Sequence, residues 1–501
     1  MFRSLLTRGT RDVAPALGRL ASRLSSAASA SEADLRSACA EVQQALEQLE
    51  RDLTVPARKD SAGSDLSLHV QRLPENAFAV LRPLMMDPQN VGLFKGVPPD
   101  DNLPLEAMSF TVKDPGGIQT VHVDAAATMR AQRYTAMASG PLKKILRDHT
   151  AAVYKPVAKD WDIALSAGSM SALDVAIRMF LNPGDAILVE EYTFLTMLDA
   201  CVAAGLRLVS VACDEEGLCP EALARVLDEE RSAGCQPKVL YTVPVGQNPL
   251  GTRLPECRYQ AIYDVCRQHD VFILEDDAYF YQQHNAHDGL PDDDESAVGG
   301  LEKLGTTFVS IDTQGIVFRC DSIAKMLAPG FRLGWVTGPE RFIQAYEEMI
   351  GMSTLGGSSM SIVCLEQLLT HWSVAGLEAH LRRTQLGLRR RCRALLRACE
   401  EHLADLATWT RPHAGMFLWL KLTSCGPLSG QTWRESMKRH GVVAIPGGYC
   451  SGSPQGRSVP CLRLSFVTPE DSYAEGARRL RKVLLELSSP MPGDKGAYPT
   501  G

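Results

Sequence analysis

DIALSAGSMSALDVAIRMFLNPGDAILVEE, residues 162–191, carries the alternation on which the fold turns. DIALSAG reads as a strand or turn, SMSALDVAIRMFL as a helix, NPGD as a turn and AILVEE as a strand. Residues 199–204 fall inside the next helix. The short β-rich runs LRLVSVAC (206–213), KVLYTVP (238–244), VFILEDD (271–277) and IVFRCDS (316–322) follow, and ECRYQAIYDVCRQHD (256–270) is the clearest intervening helix. Strands alternating with helices predict an α/β fold, with a large domain whose mostly parallel sheet is sandwiched by helices. From about residue 340 long helices dominate, among them LEAHLRRTQLGLRRRCRALLRACEEHLADL (377–406). The strand-like GMFLWLKL (415–422) and CLRLSF (461–466) come after it. That pattern predicts a smaller α+β domain.

The 501 residues suffice for two or three domains with a large core. A formal charge of −7 argues against a nucleic-acid binder, and no apolar run approaches the roughly 20 residues of a membrane span. Residues 1–30 differ from the rest, with Arg3, Arg8, Arg11, Arg19 and Arg23 against one acid, Asp12, among serines and alanines. This is the composition of an organelle transit peptide. The mitochondrial matrix is the expected destination, with plastid or cytoplasm as alternatives. Cleavage near residue 30 takes the net charge from −7 to about −11. SEADLRSACAEVQQALEQLERDL (31–53) predicts a helix opened by Ser31 and Asp34, and 54–66 a linker. The expected organisation is a transit peptide over 1–30 and an N-terminal helix, linker and arm joining the small domain over 31–125. The large domain then spans 126–345, the small domain 346–488 and a flexible tail 489–501. GVPPDDNLP (96–104) reads as turns, and QRYTAMASGPLKKILRDH (132–149) as a loop leading into a helix with Pro141 in its first turn.

Several features read as structural. The arginine-rich run 382–397 falls on an amphipathic helix with Leu381, Leu388, Leu395 and Leu396, and is assigned to a solvated face. The acidic run 292–295 follows Gly289, Leu290 and Pro291 and is expected to be a mobile loop. His284 and His287, spaced HxxH, lack further evident ligands and are not read as a metal site. Fourteen cysteines form no CxxC pair; Cys201, Cys364 and Cys461, in apolar stretches, read as small core residues in a reducing compartment.

Chemistry is expected in RCDSIAKMLAPGFRLGW (319–335). Lys325 sits among Ile323, Ala324, Met326, Leu327 and Ala328. An apolar setting lowers an ammonium pKa and exposes a nucleophilic amine able to form a Schiff base. Arg332 can grip a phosphate bidentately, and Pro329 and Gly330 break any helix between the two cations. Four other stretches lie where a strand ends or a helix begins, the place ligands occupy in open α/β sheets. Gly168 and Ser169 open a helix whose free N–H groups can hold a phosphate, although serine is also an ordinary cap. Asn248, in TVPVGQNPLGTRL (242–254), is either an amide donor to a cofactor's phenolate oxygen or a plain Asn-Pro turn. ILEDDAYFY (273–281) ends a strand in paired acids. Asp276 there can keep a pyridine nitrogen protonated and Tyr279 can bond a ring oxygen, with a metal site or a solvated turn as the other readings. Arg463, between Leu462 and Leu464, calls for a carboxylate partner, whether a structural acid or a substrate.

VPVGQNPLG, EDDAYFY, DSIAKMLAPGFRLGW, GMFLWL and CLRLSF, in this order, resemble the fold-type I pyridoxal-phosphate-dependent aminotransferases of class I/II. Within them the chain is most similar to the branch of kynurenine/2-aminoadipate and fungal aromatic-amino-acid aminotransferases. The resemblance runs from about residue 96 to about residue 485. It implies an aspartate-aminotransferase-like fold and pyridoxal 5'-phosphate as cofactor. It also implies transfer of an amino group from an aromatic, kynurenine-like or 2-aminoadipate-like amino acid to 2-oxoglutarate. Carried over by residue, Lys325 holds the cofactor as a Schiff base and shuttles the substrate's proton. Asp276 pairs with the pyridine nitrogen, and Asn248 and Tyr279 bond the ring oxygen. Ser169, Ser322 and Arg332 bind the phosphate, and Arg463 clamps the α-carboxylate. Tyr134 reaches the phosphate across the interface of an isologous homodimer. Asn248, Gly96 and Leu355 border the substrate.

Three departures stand out within the resemblance. Phe194 occupies a position where a tyrosine often stacks on the ring, and a phenyl ring stacks as well. Met170 stands where a polar residue is common, and Ala324 where a second serine often precedes the lysine. These two remove phosphate hydrogen bonds worth about 1 kcal/mol each, so weaker cofactor retention is expected. A lyase or decarboxylase on the same fold is the alternative reading, because fold and cofactor do not determine which bond breaks. A transcription regulator built on this fold would need a basic DNA-binding domain, which the acidic helix and linker of residues 31–95 do not offer.

Overall fold

The computed structural model describes residues 65–73, 96–114, 116–285, 289–423, 430–453 and 459–488, with single positions 81, 84, 89, 93 and 428. The transit peptide, the helix of 31–53, most of the linker, His287 and the tail from 489 lie outside the described residues. Residues up to Pro83 form one unit and those from Leu84 another. In the first, Ser67 caps a helical turn, Leu68–Gln71.

The second unit contains an antiparallel hairpin, β1 (Met108–Asp114) and β2 (Gly117–Val123). Sequence reading assigns no strand there, although Met108, Phe110 and Val112 alternate with polar residues in β1; in β2 only Val121 and Val123 are buried. Then come α1 (Gly140–Val153), with Pro141 in its first turn as expected, β3 (Trp161–Ser166), α2 (Ser169–Phe180), β4 (Ala186–Glu190), α3 (Leu195–Ala203) and β5 (Arg207–Val211). A two-residue ladder, β6 (Cys213–Asp214) and β7 (Gly217–Leu218), leads to α4 (Pro220–Ser232). The series continues with β8 (Val239–Thr242), α5 (Glu256–Gln268), β9 (Phe272–Asp276), β10 (Val317–Ser322), β11 (Gly334–Pro339) and α6 (Glu340–Ser353).

Seven of these strands form one sheet in the order β3-β11-β10-β9-β8-β4-β5. All pairings are parallel except those of β11, which runs antiparallel to β10 and β3. Every residue of β4, β8, β10 and β11 is buried; β4 and β8 accordingly read as largely continuous apolar runs, whereas β10 buries Arg319, Asp321 and Ser322 as well. Leu188, Leu240, Ile273 and Val317 join Leu223, Ile262 and Leu365 in one core.

The chain ends in α7 (Ser359–Leu403), β12 (Ala407–Trp409), β13 (Phe417–Leu422), α8 (Gly430–His440), β14 (Ile445–Pro446), β15 (Cys461–Ser465) and α9 (Tyr473–Ser488). The four strands make an antiparallel sheet, β12-β13-β15-β14. Leu388, Leu395 and Leu396 of α7 pack on Leu418, Leu420 and Leu462 of that sheet. α7 is two helices joined at Ser373, whose φ of 55° is non-helical.

Two structural expectations need correction. Arg389 is fully buried rather than solvated, and it donates to the carbonyl oxygens of Asn285 and, at 2.9 Å, Leu290. Arg393 donates to Asp292 at 2.8 Å, so the acidic run is anchored at its first residue, and Asp294 caps the turn Glu295–Ala297. The carbonyls of Asn285 and Leu290 that the buried Arg389 covers require donors, and its guanidinium supplies them. His284 is buried with its ring 5.5 Å from that of Phe466. Cys201 and Cys461 are buried, whereas Cys364 is only half-buried; the described cysteines are free.

Candidate active site

Four parallel strands end side by side in polar residues: Glu190 on β4, Thr242 on β8, Asp276 on β9 and Ser322 on β10. The Ser322 hydroxyl accepts from the Ala324 amide at 3.2 Å and opens the single turn Ile323–Met326 that carries Lys325. Ile323 and Met326 are buried, while Lys325 is half-buried. Gln282 Nε2 donates to the Lys325 carbonyl at 2.6 Å and His380 Nε2 to the Met326 carbonyl at 3.1 Å, so the turn's last carbonyls are tied down. Burial, and then the charges of Arg332 and Arg463, hold the Lys325 ammonium below its ordinary pKa. The apolar neighbours account for the first cause; only the fold supplies the two guanidiniums.

Arg332 adopts a left-handed conformation, φ 49° and ψ 45°. A Cβ on Gly168 would stand 3.0 Å from Arg332 Nη2, so the absence of a side chain there lets the guanidinium lie against the first turn of α2. Gly168 itself has φ 90°, open to glycine at little cost. Ser169 and Met170 follow as the first helical residues, whose amides lack helical partners and face an anion readily.

Asp276 is buried. Its Oδ2 accepts from Tyr241 Oη at 2.8 Å, and its Oδ1 has no hydrogen-bond partner. Burial pushes its pKa up to about 7, the carboxylates of Asp277 and Asp321 add to the rise, and the Tyr241 hydroxyl and Arg319 oppose it. Tyr279 is buried with its ring 5.8 Å from that of Phe417, edge to face. Its hydroxyl pKa is raised by burial and by the charge of Asp276, while Arg463 and a hydrogen bond with Asn248 lower it. Arg463 Nη1 donates to Asn248 Oδ1 at 2.8 Å, and the guanidinium carbon lies 4.4 Å over the Phe417 ring. Among the described residues no acid pairs with Arg463, with Arg332 or with Lys325.

Several supporting residues escaped sequence reading. Glu190, buried, accepts from Thr242 Oγ1 at 2.7 Å, Val243 N at 3.2 Å, Thr193 Oγ1 at 3.3 Å and Gln247 Nε2 at 2.7 Å. Gln247 Oε1 in turn accepts from Leu250 N at 2.8 Å, so this pair shapes the turn presenting Asn248. Tyr241 and Gln282 were missed for the same reason: a polar residue inside an apolar run shows its partner only in three dimensions. Phe194, half-buried, immediately precedes α3 beside the end of β4. Gly96, Tyr134 and Leu355 are not gathered into the site. Gly96 is exposed with no atom within 4 Å of the place its Cβ would take, and Tyr134 and Leu355 are 55% and 57% exposed. The substrate-bordering place expected for Gly96 is therefore not built within one chain.

A family model described as aminotransferase class I and II matches residues 111–480. The chain belongs to that family. An aromatic amino acid aminotransferase of Schizosaccharomyces pombe is 34% identical over 68% of this aminotransferase and 76% of its own length. The mitochondrial kynurenine/alpha-aminoadipate aminotransferase of Bos taurus is 30% identical over 79% and 92%. Aminotransferase swnA of Metarhizium robertsii is 38% identical over 56% of the chain, which spans 55% of swnA's length. Among solved structures, aminotransferase Aro8 of Candida albicans superposes with a TM-score of 0.76 at 25% identity, covering 87% of this chain and all of that one. The aspartate-aminotransferase-like fold expected from sequence is thus the fold observed.

Class I and II aminotransferases work with pyridoxal phosphate, and the residues present fit it. The orphaned, buried Asp276 Oδ1 suits a protonated ring nitrogen. Arg332 against the start of α2 suits a phosphate, and Lys325, with a lowered pKa and no acid paired with it among the described residues, suits an aldehyde.

Proposed function

We propose that this aminotransferase moves the amino group of an aromatic, kynurenine-like or 2-aminoadipate-like amino acid to 2-oxoglutarate. One observation carries the reading. Arg463, braced on Asn248 and on the Phe417 ring, pairs with no acid among the described residues and lies close enough to Lys325 to depress its pKa. A cation so placed suits the α-carboxylate common to amino acid and oxo acid. When bound, the cofactor supplies an aldehyde for the amino group and an electron-withdrawing ring. Lys325 is the residue that would hold that aldehyde, and its amine would carry the proton at the substrate's Cα; a lowered pKa leaves more of it as free base near neutrality. Asp276 keeps the ring nitrogen protonated through its open oxygen. With Asn248 Oδ1 engaged by Arg463, the Asn248 amide N–H remains to donate to the ring oxygen, beside Tyr279. Ser169, Ser322, Arg332 and the first amides of α2 bind the phosphate, with Met170 and Phe194 in apolar contact. The relatives' names speak for transamination and lend nothing to a lyase or decarboxylase.

The enzyme works as an isologous homodimer in this reading, with Tyr134, Gly96 and Leu355 facing the partner's site. The large sheet belongs to the cofactor domain of residues 126–345 and the small sheet to that of 346–488. The mitochondrial matrix is the proposed location, supported by residues 1–30 and by the mitochondrial bovine relative. The test is a panel of amino acids with 2-oxoglutarate, following glutamate formation, with borohydride reduction to mark the peptide of Lys325. Release of ammonia, pyruvate or carbon dioxide without glutamate would overturn transamination, and a reporter fused behind residues 1–30 that stays in the cytosol would overturn the location.

A further inference from the structure

Behind the site lies a buried ionic cluster that the mechanism above leaves unused. Successive side chains on a strand point to opposite faces, so Glu275 and Asp277 leave the end of β9 on the face away from Asp276. On the neighbouring β10, in register Arg319↔Glu275 and Cys320↔Asp276, Arg319 and Asp321 share that reverse face. Arg319 is fully buried. Its Nη1 donates to Glu275 Oε1 at 3.0 Å and to Asp277 Oδ2 at 2.6 Å, while Nε and Nη2 fork onto Asp321 at 3.0 and 2.9 Å. The guanidinium is held by the rings of Tyr154 and Phe280, 4.1 and 4.7 Å away. Tyr154 Oη donates to Asp321 Oδ1 at 2.8 Å and meets Tyr281 Oη, itself 2.7 Å from His149 Nε2.

One cation here faces three buried acids, and ionised Asp277 and Asp321 leave an excess of negative charge on the face of the sheet opposite Asp276. The groups facing Asp276 more directly are Tyr241, Tyr279 and Cys320, which bring it no positive charge. Without Arg319, ionised Asp277 and Asp321 would drive a proton onto Asp276, and a protonated Asp276 no longer favours a proton on a ring nitrogen.

We propose that Arg319 is a positioning residue acting through Asp276: clamped on the reverse face of the sheet, it offsets the charges of Asp277 and Asp321 and favours the ionised form of Asp276 toward the cofactor. The proposal rests on the reading of Asp276 as partner of the ring nitrogen. In agreement, Arg319 lowers the Asp276 pKa while Asp277 and Asp321 raise it.

The experiment uses full-length enzyme loaded with pyridoxamine phosphate, which has no carbonyl for Lys325 to bond. Its dissociation constant is followed between about pH 5.5 and 8.5, where affinity falls on the acid side as Asp276 takes up a proton. Arg319→Met moves this acid limb up by about one pH unit, roughly a tenfold loss at fixed pH within the limb. Asp321→Asn moves it down, and the double variant Arg319→Met/Asp321→Asn returns it toward the wild-type position. A merely structural role would weaken binding at every pH and leave the limb in place. An unmoved limb in Asp321→Asn overturns the proposal even where Arg319→Met does not fold. Asp276→Asn separates the two failures. A limb that survives it sinks the reading of Asp276 and the proposal together, whereas one that vanishes with Asp276→Asn yet ignores Arg319 and Asp321 overturns the proposal alone.

Discussion

At the scale of single residues, Ala324 deserves comparison with its neighbours. Ser322 Oγ accepts from the Ala324 amide at 3.2 Å, which leaves its O–H to donate to a phosphate, whereas Ala324 brings no hydroxyl of its own. The phosphate therefore depends more on Arg332 and on the amides of α2. A serine at 324 adds a donor one residue from the lysine, worth about 1 kcal/mol, or roughly a fivefold change in affinity. Ala324→Ser is expected to tighten the cofactor dissociation constant by that factor, measured by equilibrium dialysis of the coenzyme. An unchanged constant would mean that the side chain at 324 does not reach the phosphate.

At the scale of elements, the C-terminal edge of the large sheet concentrates buried acids. Burial raises the pKa of Glu190 to about 7, of Glu275 to about 8, of Asp276 to about 7 and of Asp277 to about 6, from ordinary values of 4.5 or 3.8. The native state therefore binds more protons than the unfolded chain across this interval. Stability is fully present at the acid end of the window and is lost as pH rises through about 6 to 8. The thermal midpoint is expected to fall by on the order of several degrees between about pH 5.5 and 8.5, and Glu275→Gln to flatten that slope. A midpoint that rises across the window would contradict this assignment of protons. A second element-scale device is the crossing of the Asn248 loop over the turn before β13. Gly246 and Gly415 have φ of 61° and 76°, and a Cβ on Gly246 would stand 2.6 Å from Gly415 Cα. Gly246→Ala should cost roughly 2–4 kcal/mol, read as a lowered thermal midpoint, and should displace Asn248 from Arg463. Wild-type stability in that variant would show that the two segments can part freely.

At the scale of the whole molecule, exposed apolar side chains on two touching segments offer a face for the proposed second subunit. Tyr134, Met137, Met352, Leu355 and Met360 are each 40% exposed or more. Their two segments touch where Thr135 Oγ1 donates to the Gly357 carbonyl. A monomer seldom exposes such a surface without a use for it. Met352→Glu is expected to shift the sedimentation profile from dimer toward monomer and to lower cofactor occupancy, since Tyr134 would lose its place at the partner's site. A dimer that persists would put the interface elsewhere. The alternation of strands and helices, the lysine among apolar neighbours and the arginine seven residues on were legible in the chain by itself, because local periodicity and residue chemistry are written in consecutive positions. The hairpin of residues 108–123 was not, its strands being barely buried. Nor were the partners of buried polar groups: Tyr241 on Asp276, Gln247 on Glu190, and Arg389 on the loop carbonyls. Each joins residues tens to hundreds of positions apart, so only the packed chain brings Asn248 to Arg463 and Tyr241 to Asp276. A buried polar atom takes whatever partner the fold carries within about 3 Å of it, and no spacing along the chain encodes that distance.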